Sequence, residues 1–312
     1  MRIGIIGAGA IGCLFGGLLG LAGSEVTLVH RDPLVVNVIG KKGVKIRENS
    51  GQTITARVSA KLAPADLTRE DLVILAVKAY DTKQAAILHR HRVRTQTSIL
   101  TLQNGLGNIE TLTSIFGRRA VLGGTTTEAS LLLGPGHVAH AGRGETRIGE
   151  IGKTVSKRCS LIAGEFGRAG FKTAVTKNPR GAVWAKAVIN AAINPVSALL
   201  RVPNGTLASE PAPLQAMIGV LREGVAVSKA ELVRIDPPHP EVLLKRVLQA
   251  TAANRSSMLQ DLEQGRTTEI RHLNGAIVAL GRKHGIPTPL NELLTSLITT
   301  AEGLPRTRQS AR

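Results

Sequence analysis

The first thirty residues join two apolar strands through a glycine-rich turn, and this unit restricts the fold more than any other stretch. RIGII (2–6) predicts a strand, and GAGAIG (7–12) follows it at once. An Ala-, Leu- and Gly-rich helix then runs to about residue 21, and EVTLV (25–29) predicts a second strand. A β-turn-α-β unit of this kind is typical of a parallel sheet.

The glycines of this turn have the G-x-G-x-x-G spacing in the context that dinucleotide binding requires. The first allows a tight turn, the second lets the backbone approach a pyrophosphate, and the third permits close packing of helix on strand. We therefore predict a dinucleotide site, the alternative being a glycine-rich packing turn. The predicted contacts are the six residues of the turn, Gly7, Ala8, Gly9, Ala10, Ile11 and Gly12.

The end of the second strand indicates which dinucleotide binds. An NAD site usually places an acid here, on the ribose 2′-hydroxyl, whereas this chain has His30 and Arg31 before Asp32. A guanidinium pairs well with a 2′-phosphate, and Lys78, at the end of the predicted strand 71–78, could reach the same region. We predict NADPH/NADP⁺ as the cofactor. Asp32 keeps NADH as the less favoured alternative, because strand ends are the least certain part of such a prediction.

The remaining pattern predicts an α/β domain followed by an all-helical one. Residues 43–59 predict a β-hairpin at the edge of the sheet, and SILTLQNG (98–105) predicts a buried strand that ends at Asn104. Strands around a Pro-Gly turn follow at 120–149, and then a helix and a last strand. From about residue 178 helical periodicity prevails. Helices are predicted at 180–199, 211–232, 239–264 and 268–284, with a short one after Pro289.

We accordingly predict a dinucleotide-binding domain at 1–178, a helical substrate domain at 179–304 and a frayed basic tail at 305–312. One predicted helix contains VWAKAVINAAINP (183–195), in which Lys186, Asn190 and Asn194 share one side because four residues turn a helix by about 400°. Buried amides need partners, so this row suits a cavity that holds a polar ligand. A lysine there could protonate a carbonyl oxygen as hydride arrives, the alternative being a side chain that reaches solvent.

A second polar stretch, 256–270, places Ser256 and Ser257 on one predicted helix and Glu269 in the first turn of the next. Glutamate at a helix N-terminus is commonly dipole compensation, and serines on a helix commonly face solvent. Asn104 ends a parallel strand, at the edge where open α/β sheets bind ligands, although Asn-Gly is also a simple turn.

Together with VKAYDT (77–82) and PNG (203–205), these motifs make the chain resemble the ketopantoate reductase family over nearly its whole length. The resemblance implies NADPH-dependent reduction of 2-dehydropantoate to (R)-pantoate, a step in pantothenate and coenzyme A synthesis. It also implies a Rossmann-type domain joined to an all-α domain like the C-terminal domain of 6-phosphogluconate dehydrogenase, with the active site in the cleft between them.

The resemblance implies a role for each matched residue. Lys186 matches the general acid, and Glu269 matches the acid needed for substrate binding and catalysis, which we also predict to contact the cofactor. Arg31 and Lys78 match positions near the 2′-phosphate. The predicted substrate contacts are Asn104, Asn190, Asn194, Asn204 and Ser257, of which Ser257 lies near the substrate carboxylate and Asn104 also contacts the cofactor. Glu128 departs from the family pattern, in which a small or neutral residue is common at its position.

The composition restricts the remaining function classes. The net charge of +18 predicts attraction to anions, but the basic clusters are not interleaved with aromatic residues, so no nucleic-acid partner is expected. Two cysteines cannot build a disulfide framework or a zinc site, and no metal is predicted. We predict no membrane span, a cytoplasmic location and a possible homodimer. The alternatives are a reductase of another 2-oxo acid and a non-catalytic NADP-binding regulator.

Overall fold

The computed structural model describes residues 1–152 and 154–304, and the chain forms two compact units. The first unit is Met1–Val183 and the second begins at Trp184. The first contains the strands, while the described part of the second contains helices and no strand. The tail predicted at 305–312 lies outside the described residues.

An eight-stranded sheet organises the first unit. Its strands in spatial order are β12 (Lys172–Val175), β11 (Glu145–Glu150), β8 (Val121–Thr126), β7 (Ser98–Thr101), β6 (Leu72–Leu75), β1 (Arg2–Ile6), β2 (Glu25–His30) and β5 (Ser59–Leu62). The strands from β8 to β5 are parallel to their neighbours, and β11 is antiparallel to β8. This order is the doubly wound arrangement of Rossmann-type domains, so the predicted fold class is confirmed.

Helices cover both faces of this sheet, because its strands are apolar on both sides. Ile3 and Ile5 of β1 belong to one buried cluster and Ile6 belongs to the other, as expected of a parallel strand. The helices of the first unit are α1 (Ala10–Leu21), α2 (Pro33–Lys42), α3 (Thr82–His89), α4 (Asn108–Phe116) and α5 (Lys157–Arg168), with a short 3-10 helix at Ala79–Asp81.

A second, four-stranded sheet also belongs to the first unit. It consists of β4 (Thr53–Ala56), β3 (Val44–Arg47), β10 (His137–Gly142) and β9 (Ala129–Gly134), in that spatial order. The predicted hairpin is confirmed as β3 and β4, but its predicted place at the edge of the large sheet is wrong, because β5 forms that edge. Packing on α1 explains the difference. A Cβ added at Gly17 would lie 2.7 Å from Ile46 Cδ1, so the glycine face of α1 lets β3 approach closely.

Seven α-helices form the described part of the second unit. They are α6 (Pro179–Leu200), whose first turn belongs to the first unit, α7 (Asn204–Ser209), α8 (Pro211–Ala230), α9 (Pro240–Ala250), α10 (Ser257–Glu263), α11 (Asn274–Lys283) and α12 (Pro289–Gly303). A 3-10 helix at Ile270–His272 precedes α11.

Three helix predictions in this unit are wrong. The single helix predicted at 239–264 is broken into α9 and α10, because the Ser256 hydroxyl accepts from the Leu259 N–H and starts a new helix there. The helix predicted at 268–284 begins only at Asn274, after the 3-10 helix. The helix after Pro289 is longer than predicted, since it continues to Gly303. Apolar periodicity alone does not reveal these features.

By length and composition α6 could cross a membrane, which the sequence analysis does not predict. The share of its most apolar window that is buried inside the protein is 72%, as in the core helix of a globular protein. Its apolar length is therefore accounted for by packing.

Candidate active site

Each glycine of the turn is required for a different reason. Gly7 has a φ of +111°, and a Cβ there would lie 2.6 Å from the Val77 backbone nitrogen. A Cβ at Gly12 would lie 1.8 Å from the Gly7 carbonyl oxygen. A Cβ at Gly9 would meet no atom of the described residues within 4 Å. Because the protein leaves space only at Gly9, the turn fits a ligand that approaches that backbone closely, as a pyrophosphate does.

The first turn of α1 offers hydrogen-bond donors beside this space. Gly9 is the N-cap and provides no side-chain cap, and the Cys13 N–H donates to its carbonyl oxygen. The N–H groups in the first turn of an α-helix have no carbonyl acceptor within the helix, so they can donate to an anion. The Ser130 hydroxyl of β9 donates to the Ala10 carbonyl oxygen at 3.0 Å, which attaches the second sheet to this turn.

Arg31 is the exposed cation that follows β2. Its guanidinium lies 3.5 Å from the Asp81 carboxylate, and its side chain is 76% exposed. The Asp32 carboxylate instead accepts from the Leu34 N–H at 2.8 Å and caps α2. The Asp32 N–H donates to His30 Nδ1, and burial lowers the pKa of His30, so that ring is uncharged at neutral pH. Arg31 and Asp32 are the two alternative cofactor contacts at this strand end. The Asp32 carboxylate is engaged as the cap of α2, whereas the Arg31 side chain is exposed.

Lys78 and Asn104 lie in loops beyond two neighbouring parallel strands. β6 ends at Leu75, so the prediction that its strand extends to Lys78 is wrong, and Lys78 precedes the 3-10 helix instead. β7 ends at Thr101, so the prediction that its strand extends to Asn104 is wrong as well. The Asn104 carbonyl oxygen accepts from the Asn108 amide at 2.9 Å. The carboxyl ends of parallel strands share one edge, so both residues lie on the edge that carries the glycine turn.

A buried polar network that the sequence analysis does not identify joins these two loops. The Gln103 amide donates to the Val77 carbonyl oxygen and to the Thr82 hydroxyl, both at 2.7 Å. The Thr82 hydroxyl in turn donates to Asn108 Oδ1 at 2.8 Å. Gln103 and Thr82 stand inside LQNG and VKAYDT, so polar residues directly beside the predicted contacts are the signal that could have found them.

In the second unit, the polar row of α6 is present as predicted. Lys186 and Asn190 are partly buried and Asn194 is buried. Neither the Asn190 nor the Asn194 side-chain amide hydrogen-bonds another residue within 1–152 or 154–304. Amides held on a core helix in this way can bind a polar ligand.

Lys186 is electrostatically coupled to Glu269. Burial lowers the pKa of Lys186 to about 8, and the negative charge of Glu269 opposes that decrease. Glu269 is itself buried, and it precedes the 3-10 helix at Ile270–His272 rather than lying in the first turn of an α-helix. Its carboxylate makes no capping hydrogen bond there. The pair therefore combines a lysine that can release its proton near neutral pH with an acid that keeps it charged.

The two serines differ in their surroundings. Ser256 is buried, caps α10 and donates to the Asn194 carbonyl oxygen at 3.4 Å. Ser257 is the first residue of α10 and is exposed. The Asn204 amide donates to the Thr251 hydroxyl at 2.9 Å, while its Oδ1 is buried without a hydrogen-bond partner among the described residues.

Glu128, which departs from the family pattern, is explained by a contact outside these sites. Its carboxylate lies 2.6 Å from His140 Nε2 and accepts from the Gly144 N–H at 3.1 Å. Both Glu128 and His140 are buried. The pair ties the segment between β8 and β9 to β10, so it joins the two sheets of the first unit.

The first unit thus offers a backbone cradle for a dinucleotide, and the second offers a proton donor with neighbouring amides. Residues 1–152 and 154–304 contain no group of three or more His, Cys, Asp or Glu side chains that could hold a metal ion.

Similar proteins were found over almost the whole chain. The family model described as ketopantoate reductase PanE/ApbA matches residues 3–153, and the model of its C-terminal domain matches 178–302. The 2-dehydropantoate 2-reductase of Pyrococcus horikoshii is 37% identical over 97% of this chain and 98% of its own length.

Solved structures agree with these matches. A PanE/ApbA family ketopantoate reductase from Ralstonia eutropha JMP134 superposes with a TM-score of 0.88 at 36% identity, covering 97% of this chain and 98% of that one. D-Mandelate dehydrogenase with NADH and anilino(oxo)acetate superposes with a TM-score of 0.91 at 26% identity, covering 97% of this chain and 98% of that one. Since the family models match both units and relatives above 30% identity span nearly the whole chain, this protein belongs to the ketopantoate reductase PanE/ApbA family.

Proposed function

We propose that this protein is an NADPH-dependent 2-dehydropantoate 2-reductase that forms (R)-pantoate on the route to pantothenate and coenzyme A. The observation that carries the proposal is Lys186, whose pKa is lowered to about 8 by burial on a helix that also presents two amides without hydrogen-bond partners among the described residues. Family membership supplies the substrate, because relatives across most of the chain length are 2-dehydropantoate 2-reductases.

In the proposed mechanism Lys186 is the general acid. The reduced nicotinamide, when bound, supplies the hydride that adds to the keto carbon. As the C=O bond is reduced, negative charge develops on its oxygen, and the Lys186 ammonium stabilises this charge and then transfers a proton to it. The negative charge of Glu269 stabilises the ammonium form of Lys186, so this general acid carries its proton at neutral pH before the reaction. Lys186 regains its proton from solvent at the end of the cycle.

Substrate binding is assigned to polar side chains of the predicted site. We assign Asn190 and Asn194 to the hydroxyl and keto oxygens, because both amides lie on the lysine side of α6. Ser257 is exposed at the start of α10, where its hydroxyl can donate to a carboxylate. Asn204 and Asn104 remain predicted contacts.

NADPH is the proposed cofactor, and Gly7, Gly9 and Gly12 would hold its pyrophosphate. Preference for the 2′-phosphate is supported by Arg31, an exposed guanidinium directly after β2, and by Asp32, whose carboxylate is engaged as a helix cap. Lys78 lies at the same sheet edge. Cys13 and Cys159 are both free, which supports a reducing compartment such as the cytoplasm.

A kinetic assay of the purified protein tests this proposal. Loss of NADPH absorbance is followed with 2-dehydropantoate and with a panel of other 2-oxo acids, and each assay is repeated with NADH. We expect 2-dehydropantoate with NADPH to have the highest kcat/KM of all combinations. A higher value with another 2-oxo acid would reject the substrate, and a higher value with NADH would reject the cofactor.

The second candidate is a reductase of an aromatic 2-oxo acid. It is favoured by the TM-score of 0.91 with D-mandelate dehydrogenase, whose structure was solved with NADH. Phenylglyoxylate, the 2-oxo acid that corresponds to mandelate, therefore belongs in the panel with both nicotinamides.

A further inference from the structure

Pro195 interrupts the hydrogen bonding of α6 beside the amides assigned to the substrate. It lies inside the helix Pro179–Leu200 and has no N–H group. In an α-helix that N–H would donate to the carbonyl four residues earlier, which is Ala191. The Ala191 carbonyl oxygen is therefore left without its helical donor, and it lies between Asn190 and Asn194 in the chain.

Asn274, at the start of α11, donates to this carbonyl in place of the missing N–H. Its Nδ2 lies 2.9 Å from the Ala191 carbonyl oxygen and 3.0 Å from Asn291 Oδ1. Asn274 and Asn291 are fully buried. Because both neighbours of Nδ2 are acceptors, the Asn274 amide can satisfy them in only one orientation.

Asn291, at the start of α12, is held in turn by α8. Its Nδ2 donates to the Val220 carbonyl oxygen at 3.1 Å and to the Glu223 carboxylate at 2.7 Å. The same carboxylate accepts from the N–H groups of Leu290 and Asn291, at 2.9 and 3.0 Å. The donor that reaches α6 is thus fixed by a chain of hydrogen bonds through three other helices.

We propose that Asn274 is a positioning residue for catalysis, an inference that rests on the proposed function. A proline within a helix kinks it unless its surroundings determine the local geometry. By supplying the hydrogen bond that Pro195 removes, Asn274 sets the path of α6 where Asn190 and Asn194 project. It thereby determines how these amides present the substrate to Lys186.

A double-mutant cycle tests this assignment. Pro195→Ala restores an N–H that can donate to Ala191 within the helix and makes the Asn274 donor redundant. With Pro195 present, Asn274→Ala should lower kcat/KM for 2-dehydropantoate by about 10- to 100-fold, because small misplacements of reacting groups have effects of that size. In the Pro195→Ala background the same change should have an effect roughly tenfold smaller. Equal fold-losses in the two backgrounds would overturn the proposal.

Separate readouts distinguish positioning from loss of folded protein. In Asn274→Ala we expect the KM for 2-dehydropantoate to rise, while the Kd for NADPH stays unchanged because Asn274 is not among the predicted cofactor contacts. If kcat falls while the KM for 2-dehydropantoate and the Kd for NADPH both stay unchanged, the variant only contains fewer active molecules. That result would reject the proposal. If Asn274→Ala does not fold, Asn274→Ser replaces it, and failure of both in both backgrounds also rejects the proposal, since Pro195→Ala should rescue them.

Ser256 supplies the matched control. Its hydroxyl also donates to a carbonyl of α6, that of Asn194, but the helical partner of this carbonyl is Ala198, which has an N–H. Ser256→Ala should therefore have the same effect with and without Pro195. The cycle is also measured as Tm without substrate. If the wild type does not reduce 2-dehydropantoate, the proposed function fails, while coupling in Tm still reports whether Asn274 replaces the proline N–H.

Discussion

The candidate sites of the two units rely on different chemical groups, the backbone in the first unit and side chains in the second. In the first, the glycine turn is predicted to bind its ligand through backbone groups, and its requirements concern the space around Gly7, Gly9 and Gly12. In the second, the row on α6 is predicted to act through side chains, and the pKa of its lysine depends on burial and on Glu269, which is distant in sequence. A backbone site is specified by a short local motif, whereas a side-chain site is specified by what packs around it.

This comparison predicts that substitutions in the two units fail in different ways. Changes at the turn should affect cofactor binding or folding and leave the acid intact. Changes near Lys186 should affect the chemical step and leave cofactor binding intact.

The largest effect is expected for Lys186→Ala. Loss of a general acid should lower kcat by about 10²- to 10⁴-fold, while the Kd for NADPH remains unchanged. Steady-state kinetics and fluorescence titration with NADPH measure the two quantities. Lys245→Ala, which removes an exposed lysine of α9, is the control and should leave both unaltered. Undiminished turnover in Lys186→Ala would remove the lysine from the mechanism.

Alanine at the second and third glycines should separate binding from folding. In Gly12→Ala the new Cβ would lie 1.8 Å from a backbone oxygen, so we expect a loss of unfolding free energy of about 3 kcal/mol or more. Gly9→Ala meets no protein atom and should keep its Tm, yet weaken NADPH binding by roughly tenfold or more.

Gly40→Ala is the control for these glycine variants. Its site on α2 is open and helical, so alanine should stabilise the protein by about 0.5–1 kcal/mol. Thermal unfolding measures the stability of the three glycine variants, and titration with NADPH measures their cofactor affinity. Equal cofactor affinity in Gly9→Ala and the wild type would contradict the assignment of the turn.

Arg31→Ala should have an intermediate effect that is specific to one cofactor. A charge-assisted contact with the 2′-phosphate is lost, so KM for NADPH should rise by about 10- to 100-fold while KM for NADH stays constant. Arg47→Ala removes an exposed arginine of β3 and should change neither value. An equal rise for both nicotinamides would show that Arg31 does not read the 2′-phosphate.

The smallest predicted effect is a shift in pH dependence. Lys186 donates its proton only in the ammonium form, so kcat/KM should fall as the pH rises above its pKa of about 8. Glu269 raises this pKa, and Glu269→Gln should therefore move the decline to lower pH, by roughly one unit. Glu263→Gln, at an exposed acid on α10, should leave the profile in place. An unchanged pH profile in Glu269→Gln would show that Glu269 does not influence the pKa of Lys186.

Glu269 is also predicted to take part in substrate binding and catalysis, which a second substitution at this position tests. Glu269→Ala should lower kcat/KM for the substrate, because the family match assigns it to substrate binding and catalysis. An unchanged kcat/KM would return Glu269 to a structural role at the start of the 3-10 helix.

The predictions from sequence succeeded where neighbours in the chain decide the outcome. The strand, glycine turn and helix of residues 2–21 depend on local spacing, and they are present as predicted. The hairpin at β3 and β4 also formed, since its turn is local. The sheet predicted for this hairpin was wrong because Val44 and Ile46 pack on Gly17 of α1, a contact that no periodicity within the hairpin encodes.

In the site, sequence identified the residues that carry chemistry more readily than the residues that support them. Lys186, Asn190 and Asn194 stand out because polar residues interrupt an apolar run. Gln103 and Asn274 do not, because a single amide in a polar stretch is unremarkable until its buried partners are known. Their partners come from other strands and helices.

The sequence by itself determined the strand, glycine turn and helix of residues 2–21 and the polar row on α6, because each depends on spacing within one segment. Only the tertiary structure decided that burial brings the pKa of Lys186 to about 8 and that Asn274 meets the carbonyl left without its helical donor by Pro195. Burial and pairing depend on segments that meet only when the chain is folded, and these interactions determine whether a given lysine can act as an acid.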